Sequence, residues 1–189
     1  MKKIGITGSL ASGKTTASKI LARGKYPLFS ADNEVKKLYK RKSFIGLISN
    51  KFKLKKTIKI KQILKNKILK NNSSLKKLEQ IIHPFVRKEM RKFEIKNKNK
   101  KYVYFEIPLL VESKLMKRFD VVIFIKANKS LRFKRFLSKG GNKKLFQILN
   151  KKQLSDKKKA EHSDFVVVNE KNKIILKKKL LDILKKYEW

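Results

Sequence analysis

Cysteine is absent from this chain of 189 residues, and glycine (7), proline (3) and tryptophan (1) are scarce. Without thiols there is no disulfide, no thiolate metal centre and no cysteine nucleophile. No apolar run is long enough for a signal peptide or a membrane span, and Met1-Lys2-Lys3 leads straight into a β-prone segment. The expectation is a soluble, cytoplasmic protein with no membrane partner. Acidic residues are also few: 14 Asp+Glu face 53 Lys+Arg, a formal charge of +39. Such an excess attracts any polyanion, so nucleic-acid binding is the first thought. Two features weaken it. The excess is mostly lysine, whereas arginine is the better reader of bases and phosphates. The lysines are also spread over the whole chain, mingled with Asn and Ile, as a genome biased towards A and T would produce. No specific nucleic-acid partner is expected.

What is present is a chain long enough for one domain with a small appended lid, and hydrophobic enough, at 41%, to build a core. Near its start stands Gly8-Ser9-Leu10-Ala11-Ser12-Gly13-Lys14-Thr15, a complete G-x-x-x-x-G-K-[ST] phosphate-binding loop. The apolar segment Lys3–Thr7 precedes it and a helical pattern from Thr16 to Arg23 follows, so strand, loop and helix come in the order the motif needs. Gly8 and Gly13 permit backbone angles that a side chain would forbid. The loop's N–H groups then form an anion nest, to which the following helix adds its positive end. Lys14 reaches the β and γ phosphates of ATP, and the Thr15 hydroxyl is placed to hold Mg2+. A plain glycine turn would not place Lys-Thr directly after its second glycine.

Further on, Tyr26–Ser30 reads as a second strand, closed by Ala31-Asp32, with Asn33–Arg41 helical. From Ser43 to about Lys98 the pattern is helical, with apolar clusters at Phe44, Ile45, Leu47, Ile48 and at Ile60, Ile63, Leu64, Ile68, Leu69. Asn71-Asn72-Ser73-Ser74 is a break with capping residues. Proline disfavours helical geometry at the residue before it, so the chain is expected to bend at His83-Pro84. Tyr102–Ile107 is a third strand ending in an acidic residue, with a short helix to about Lys117 after it. Asp120–Ile125 is a fourth strand, apolar enough to be covered on both faces. Asn128–Ser138 is helical, Gly140-Gly141 breaks it, and helix resumes from Lys143 to about Glu161. Asp164–Val168 is a fifth strand, and Asn172–Tyr187 a closing amphipathic helix. The Lys-rich stretches 52–67 and 172–186 carry helical apolar spacing and read as solvated helix faces.

Strands alternating with helices predict a parallel α/β sheet with helices on both faces. Ligands on such sheets sit at the carboxyl ends of the strands. That rule gathers Gly8–Thr15, Asp32, Glu106 and Pro108 around one cleft, with His83 and Arg87 reaching over it from the helical segment. There is no N-K-x-D motif for a GTPase, and the chain is short for a motor or transporter ATPase. A small kinase fits better.

The motifs then resemble those of the dephospho-coenzyme A kinase family. The resemblance runs from Ile4 to Asn169 and rests on I-G-I-T-G-S-L-A-S-G-K-T-T, S-A-D at Ser30–Asp32, L-E-Q-I-I-H-P-F-V-R at Leu78–Arg87, E-I-P-L-L-V-E-S at Glu106–Ser113, Gln153, and S-D-F-V-V-V-N at Ser163–Asn169. It implies a P-loop nucleotide-kinase-like fold: a five-stranded parallel sheet as a core (about 1–42, 101–131 and 160–189), a helical acceptor insert (about 43–100) and a lid (about 132–159). It implies ATP and dephospho-coenzyme A as substrates, Mg2+ as cofactor, and transfer to the ribose 3′-hydroxyl. By this resemblance Gly8, Ala11, Ser12, Gly13, Lys14, Thr15 and Thr16 bind ATP, and Asp32 is catalytic with Lys14. His83, Arg87, Glu106, Pro108 and Leu109 bind the acceptor, while Arg132 and Arg135 belong to the lid.

The chain departs from the family pattern at three places. Ala11 stands where glycine is usual, and fits if its φ is negative. Ser30 stands for the first aspartate of Asp-Ala-Asp. Lysines at 139, 143 and 144 replace lid arginines. Plainer readings stand beside each site residue: Asp32 as a helix cap, His83 as a bend residue satisfied by backbone, Glu106 paired with a lysine, and Arg132 and Arg135 on a solvated helix face. Two other functions stay open as well, a different small-molecule P-loop kinase and a basic nucleic-acid-binding protein with a vestigial loop.

Overall fold

The computed structural model describes residues 1–55, 57, 59–71 and 73–186. Asn72, in the expected break, and Tyr187, the expected end of the closing helix, lie outside them. Among the described residues β1 (Lys2–Gly8), β2 (Leu28–Ser30), β3 (Tyr102–Glu106), β4 (Val121–Lys126) and β5 (Phe165–Val168) form one sheet in the order β2-β3-β1-β4-β5. Every pairing is parallel, as the sequence predicts. The register sets Ile6 and Ser30 beside Glu106, and Gly8 beside Ile125. With β1 central, its carboxyl end opens at the middle of the sheet edge.

The inner strands are apolar runs because both faces are covered, whereas the edge strand β5 leaves Val166 and Val168 exposed. On one face α1 (Lys14–Ala22) and α9 (Lys173–Lys186) bury Ala17, Leu21, Leu176 and Leu180 against Ile4, Ile6, Ile123 and Ile125. Each such Leu or Ile side chain withdrawn from water contributes roughly 1.5–3 kcal/mol. On the other face the rings of Phe29, Phe105 and Phe119 meet at 5.9 and 5.4 Å between centroids. Gly5 allows that packing: a β-carbon there would lie 2.7 Å from Leu110 Cδ1 and 3.0 Å from the Phe119 ring.

Two compact units divide the chain: Met1–Ser30 with Glu94–Trp189, and Ala31–Phe93. The first holds the sheet, α1, α9 and α6 (Lys129–Leu137), α7 (Lys143–Lys151) and α8 (Asp156–Glu161). The second holds α2 (Ala31–Leu38), α3 (Lys42–Phe52), α4 (Ile60–Lys70) and most of α5 (Ser73–Lys96). Its own core contains Phe44, Ile48, Ile60, Leu64, Leu78 and Met90, with Phe44 edge-on to both Tyr39 and Phe85.

Several sequence expectations need correction. At the expected bend, His83-Pro84, the helix is not interrupted: α5 runs through Pro84 for 24 residues. A proline inside a helix costs ~3 kcal/mol. Leu75, Leu78 and Ile82 before it and Met90 after it are all buried, and that packing offsets the cost. The segment 143–161 is two helices rather than one: Ser155 caps the start of α8 by accepting the Lys158 N–H. The expected helix after β3 is a series of turns ending in a 3-10 segment, Met116–Arg118.

Candidate active site

Gly8 ends β1 and Gly13, at φ 98°, is the N-cap of α1. The two glycines serve close contacts. A β-carbon on Gly8 would sit 2.6 Å from the Ile125 carbonyl, and one on Gly13 would collide with the Asn169 amide. That amide donates to Ser12 O at 2.8 Å and so holds the loop to the residue after β5. Ala11 contradicts its expected negative φ: it stands at +59°, in the left-handed region. An L side chain in that region costs roughly 1–2 kcal/mol.

Lys14 lies buried along the loop, its Nζ donating to Ser9 O at 3.3 Å. The Ser12 hydroxyl is fully buried and has no hydrogen-bond partner among the described residues. An orphan donor inside a glycine-bounded cradle suits a phosphate oxygen. The Thr15 hydroxyl donates to Glu106 Oε1 at 2.5 Å, and Ser18 Oγ lies 3.5 Å from Glu106 Oε2. Glu106, at 1% exposure, therefore sits beneath the phosphate loop, and the hydroxyls of Thr15 and Ser18 take the place of the lysine that charge composition suggested. Hydroxyl and carboxylate oxygens are the hard donors Mg2+ prefers, and Mg2+ commonly completes its shell with water and phosphate oxygens. Pro108 accepts the Thr7 hydroxyl at 3.2 Å through its carbonyl, and Leu109 follows it in a half-buried turn.

Of the two arginines expected in a lid, Arg132 is buried and Arg135 partly buried. Arg132 is buried, donating to Ala127 O (3.0 Å), Asn150 Oδ1 (2.8 Å) and Leu10 O (3.4 Å). Burial pulls its guanidinium below the ordinary value, against a smaller opposing effect of Asp156. Arg135 donates to Asn169 O at 3.1 Å and to Ser12 O at 3.5 Å. Two further contacts reach the loop: Leu10 N–H donates to Gln153 Oε1 at 2.8 Å, and Ser9 Oγ to Asp156 Oδ1 at 2.5 Å. Sequence reasoning gave Asn150 and Asp156 no role. The only local signal was the helix-start chemistry of Ser155-Asp156, which says nothing of a partner near residue 9.

The remaining site residues lie in the second unit. Asp32 is in the first turn of α2, two residues past the end of β2. His83 and Arg87 stand four apart on α5 and so share one face of it. Burial lowers the His83 imidazole below its ordinary 6.5; Glu79 opposes the shift and Arg87 adds to it.

The dephospho-CoA kinase family model matches residues 2–174. The chain belongs to the dephospho-CoA kinase family. A dephospho-CoA kinase of Bartonella quintana (strain Toulouse) is 38% identical over 172 residues, covering 88% of each chain. The solved dephospho-CoA kinase of Campylobacter jejuni aligns with 98% of this chain and 97% of its own at TM-score 0.67 and 26% identity. The TT1252 protein of Thermus thermophilus has the same fold at TM-score 0.79 and 23% identity, over 98% and 97% of the two chains. Membership in the dephospho-CoA kinase family makes the chain a phosphotransferase and selects among the functions the sequence left open.

Proposed function

We propose that the chain transfers the γ-phosphoryl group of ATP to the ribose 3′-hydroxyl of dephospho-coenzyme A, completing coenzyme A. The observation that carries this reading is the Thr15–Glu106 hydrogen bond beneath a complete phosphate loop, in a chain matched by the family model from residue 2 to 174.

In this reading Gly8 to Thr16 cradle the phosphates through backbone N–H groups and the positive end of α1. Lys14 leaves the Ser9 carbonyl for the β and γ phosphates, and the orphan Ser12 hydroxyl gains a partner. Mg2+ would be held at Thr15 beside Glu106 and would neutralise charge on the phosphates. Asp32 orients the 3′-hydroxyl and accepts its proton as the new P–O bond forms. Its position supports that role, since ligands on parallel sheets gather beyond the carboxyl ends of the strands. His83, Arg87 and the turn at Pro108-Leu109 hold the acceptor. Arg132 and Arg135 fix the lid and leave their remaining donors for the transferring group. The soluble, cytoplasmic setting belongs to the same reading; among the described residues no helix is long and apolar enough to cross a membrane.

An acceptor panel tests the proposal. With Mg-ATP present, kcat/KM for dephospho-coenzyme A should exceed that for adenosine, AMP and shikimate by about three decades or more, the scale of discrimination a hydrogen-bonding site achieves. Equal or greater efficiency with any other acceptor would reject it.

A further inference from the structure

Lys159, on α8, is fully buried at 0% exposure, yet it lies outside the phosphate site. A buried ammonium is stabilised only by a close partner of good geometry. Its Nζ lies 2.9 Å from Glu112 Oε1, but neither Lys159 Nζ nor Glu112 Oε2 makes an aligned hydrogen bond among the described residues. Glu112 Oε1 does accept one well-defined bond, the backbone N–H of Leu154 at 3.1 Å. An ion pair so poorly satisfied adds little stability over an apolar pair of similar volume. Its value lies in what it positions.

Gln153 immediately precedes Leu154, and Asp156 lies between Leu154 and Lys159. These two side chains hold the phosphate loop at Leu10 N–H and Ser9 Oγ. The segment cannot order itself. α8 is only 6 residues long, far below the length at which a helix is stable alone. A recess of about 250 Å3, lined by Ser9, Arg132, Asn150 and Asp156 among others, opens beside residues 153–156. Glu112 grips the segment at both ends, at Leu154 N–H and at Lys159 Nζ.

We propose that Glu112 and Lys159 are a positioning pair for ATP binding: they hold residues 153–156 as a clamp that sets the shape of the phosphate loop at Ser9 and Leu10. The proposal rests on the loop being the ATP site and does not depend on the acceptor. A non-hydrolysable ATP analogue therefore tests it without turnover, and the wild-type chain must bind that analogue for the comparison to be made.

The deciding variants remove both charges together, so that no lone charge is left buried. E112L/K159M should melt at or near the wild-type temperature but bind the analogue about tenfold more weakly, a modest loss for a displaced binding group. Its kcat at saturating ATP should stay within about threefold. E112Q/K159M keeps an acceptor for Leu154 N–H but not the grip on residue 159, so its affinity should lie between that of E112L/K159M and wild type. Folded E112L/K159M with wild-type affinity would overturn the proposal, and so would affinity that falls only in step with melting temperature. Should E112L/K159M not fold, amide exchange in E112Q decides: the Leu10 amide should exchange about tenfold faster while β4 amides are unchanged. Equal acceleration in β4 would mark the pair as structural only.

Discussion

The hydroxyl of Thr15 donates to Glu106 Oε1 at 2.5 Å across 91 residues of chain. A carboxylate almost without solvent contact is thereby fixed under the first turn of α1, where a cation bound to phosphates would meet it. Glu106→Gln keeps the shape and an acceptor for Thr15 but removes the charge. Turnover should fall roughly two to three decades, the scale of lost electrostatic stabilisation at a reacting phosphate, and half-maximal rate should need more Mg2+. Initial rates across a Mg2+ titration check this. An unchanged rate and Mg2+ requirement would leave Glu106 a structural acceptor.

Ala11 has φ +59° where glycine would be at ease. Ala11→Gly should raise stability by up to about 1 kcal/mol, relief of left-handed strain outweighing the extra freedom of the unfolded chain. Ala11→Val should lower it. Thermal melts of both variants read the sign; a destabilised glycine variant would mean that the alanine is not strained.

How much of this was legible beforehand follows from range. The five strands, the loop and the closing helix are local patterns, and the structure repeats them within a few residues. Thr15–Glu106, Leu10–Gln153 and Ser12–Asn169 are not local: they join positions 91, 143 and 157 apart, and no periodicity records which side chain meets which. The strain at Ala11 was hidden because a residue type does not report its φ. At Pro84 the sequence states a local cost, whereas the burial before and after it that keeps α5 continuous belongs to the whole unit.

His83 should make stability fall in mild acid. Burial lowers its folded-state pKa from 6.5, so above that value both folded and unfolded chains are neutral there and the contribution is complete. As pH drops from about 6.5 towards the lowered value, the unfolded chain takes up the proton first and stability is lost. His83→Gln should flatten that part of the curve of melting temperature against pH. An identical curve would show that His83 does not titrate differently on folding.

Asp32 stands inside the first turn of α2 rather than at its cap, so the alternative to a base is a carboxylate that steadies the positive end of the helix. Asp32→Asn keeps the shape but loses the charge and the basicity. Turnover should drop roughly two to four decades, with ATP-analogue affinity and melting temperature little changed. Near wild-type turnover would leave Asp32 a first-turn residue of α2 and not a base.

The most direct measurement identifies the product. The purified chain is incubated with Mg-ATP and dephospho-coenzyme A, and the mixture is followed by 31P NMR with quantification of ADP. The account predicts a new phosphomonoester on the ribose 3′ carbon, formed in equal amount to ADP. ADP appearing without that monoester, or no turnover under conditions where the chain is folded and binds ATP, would contradict it.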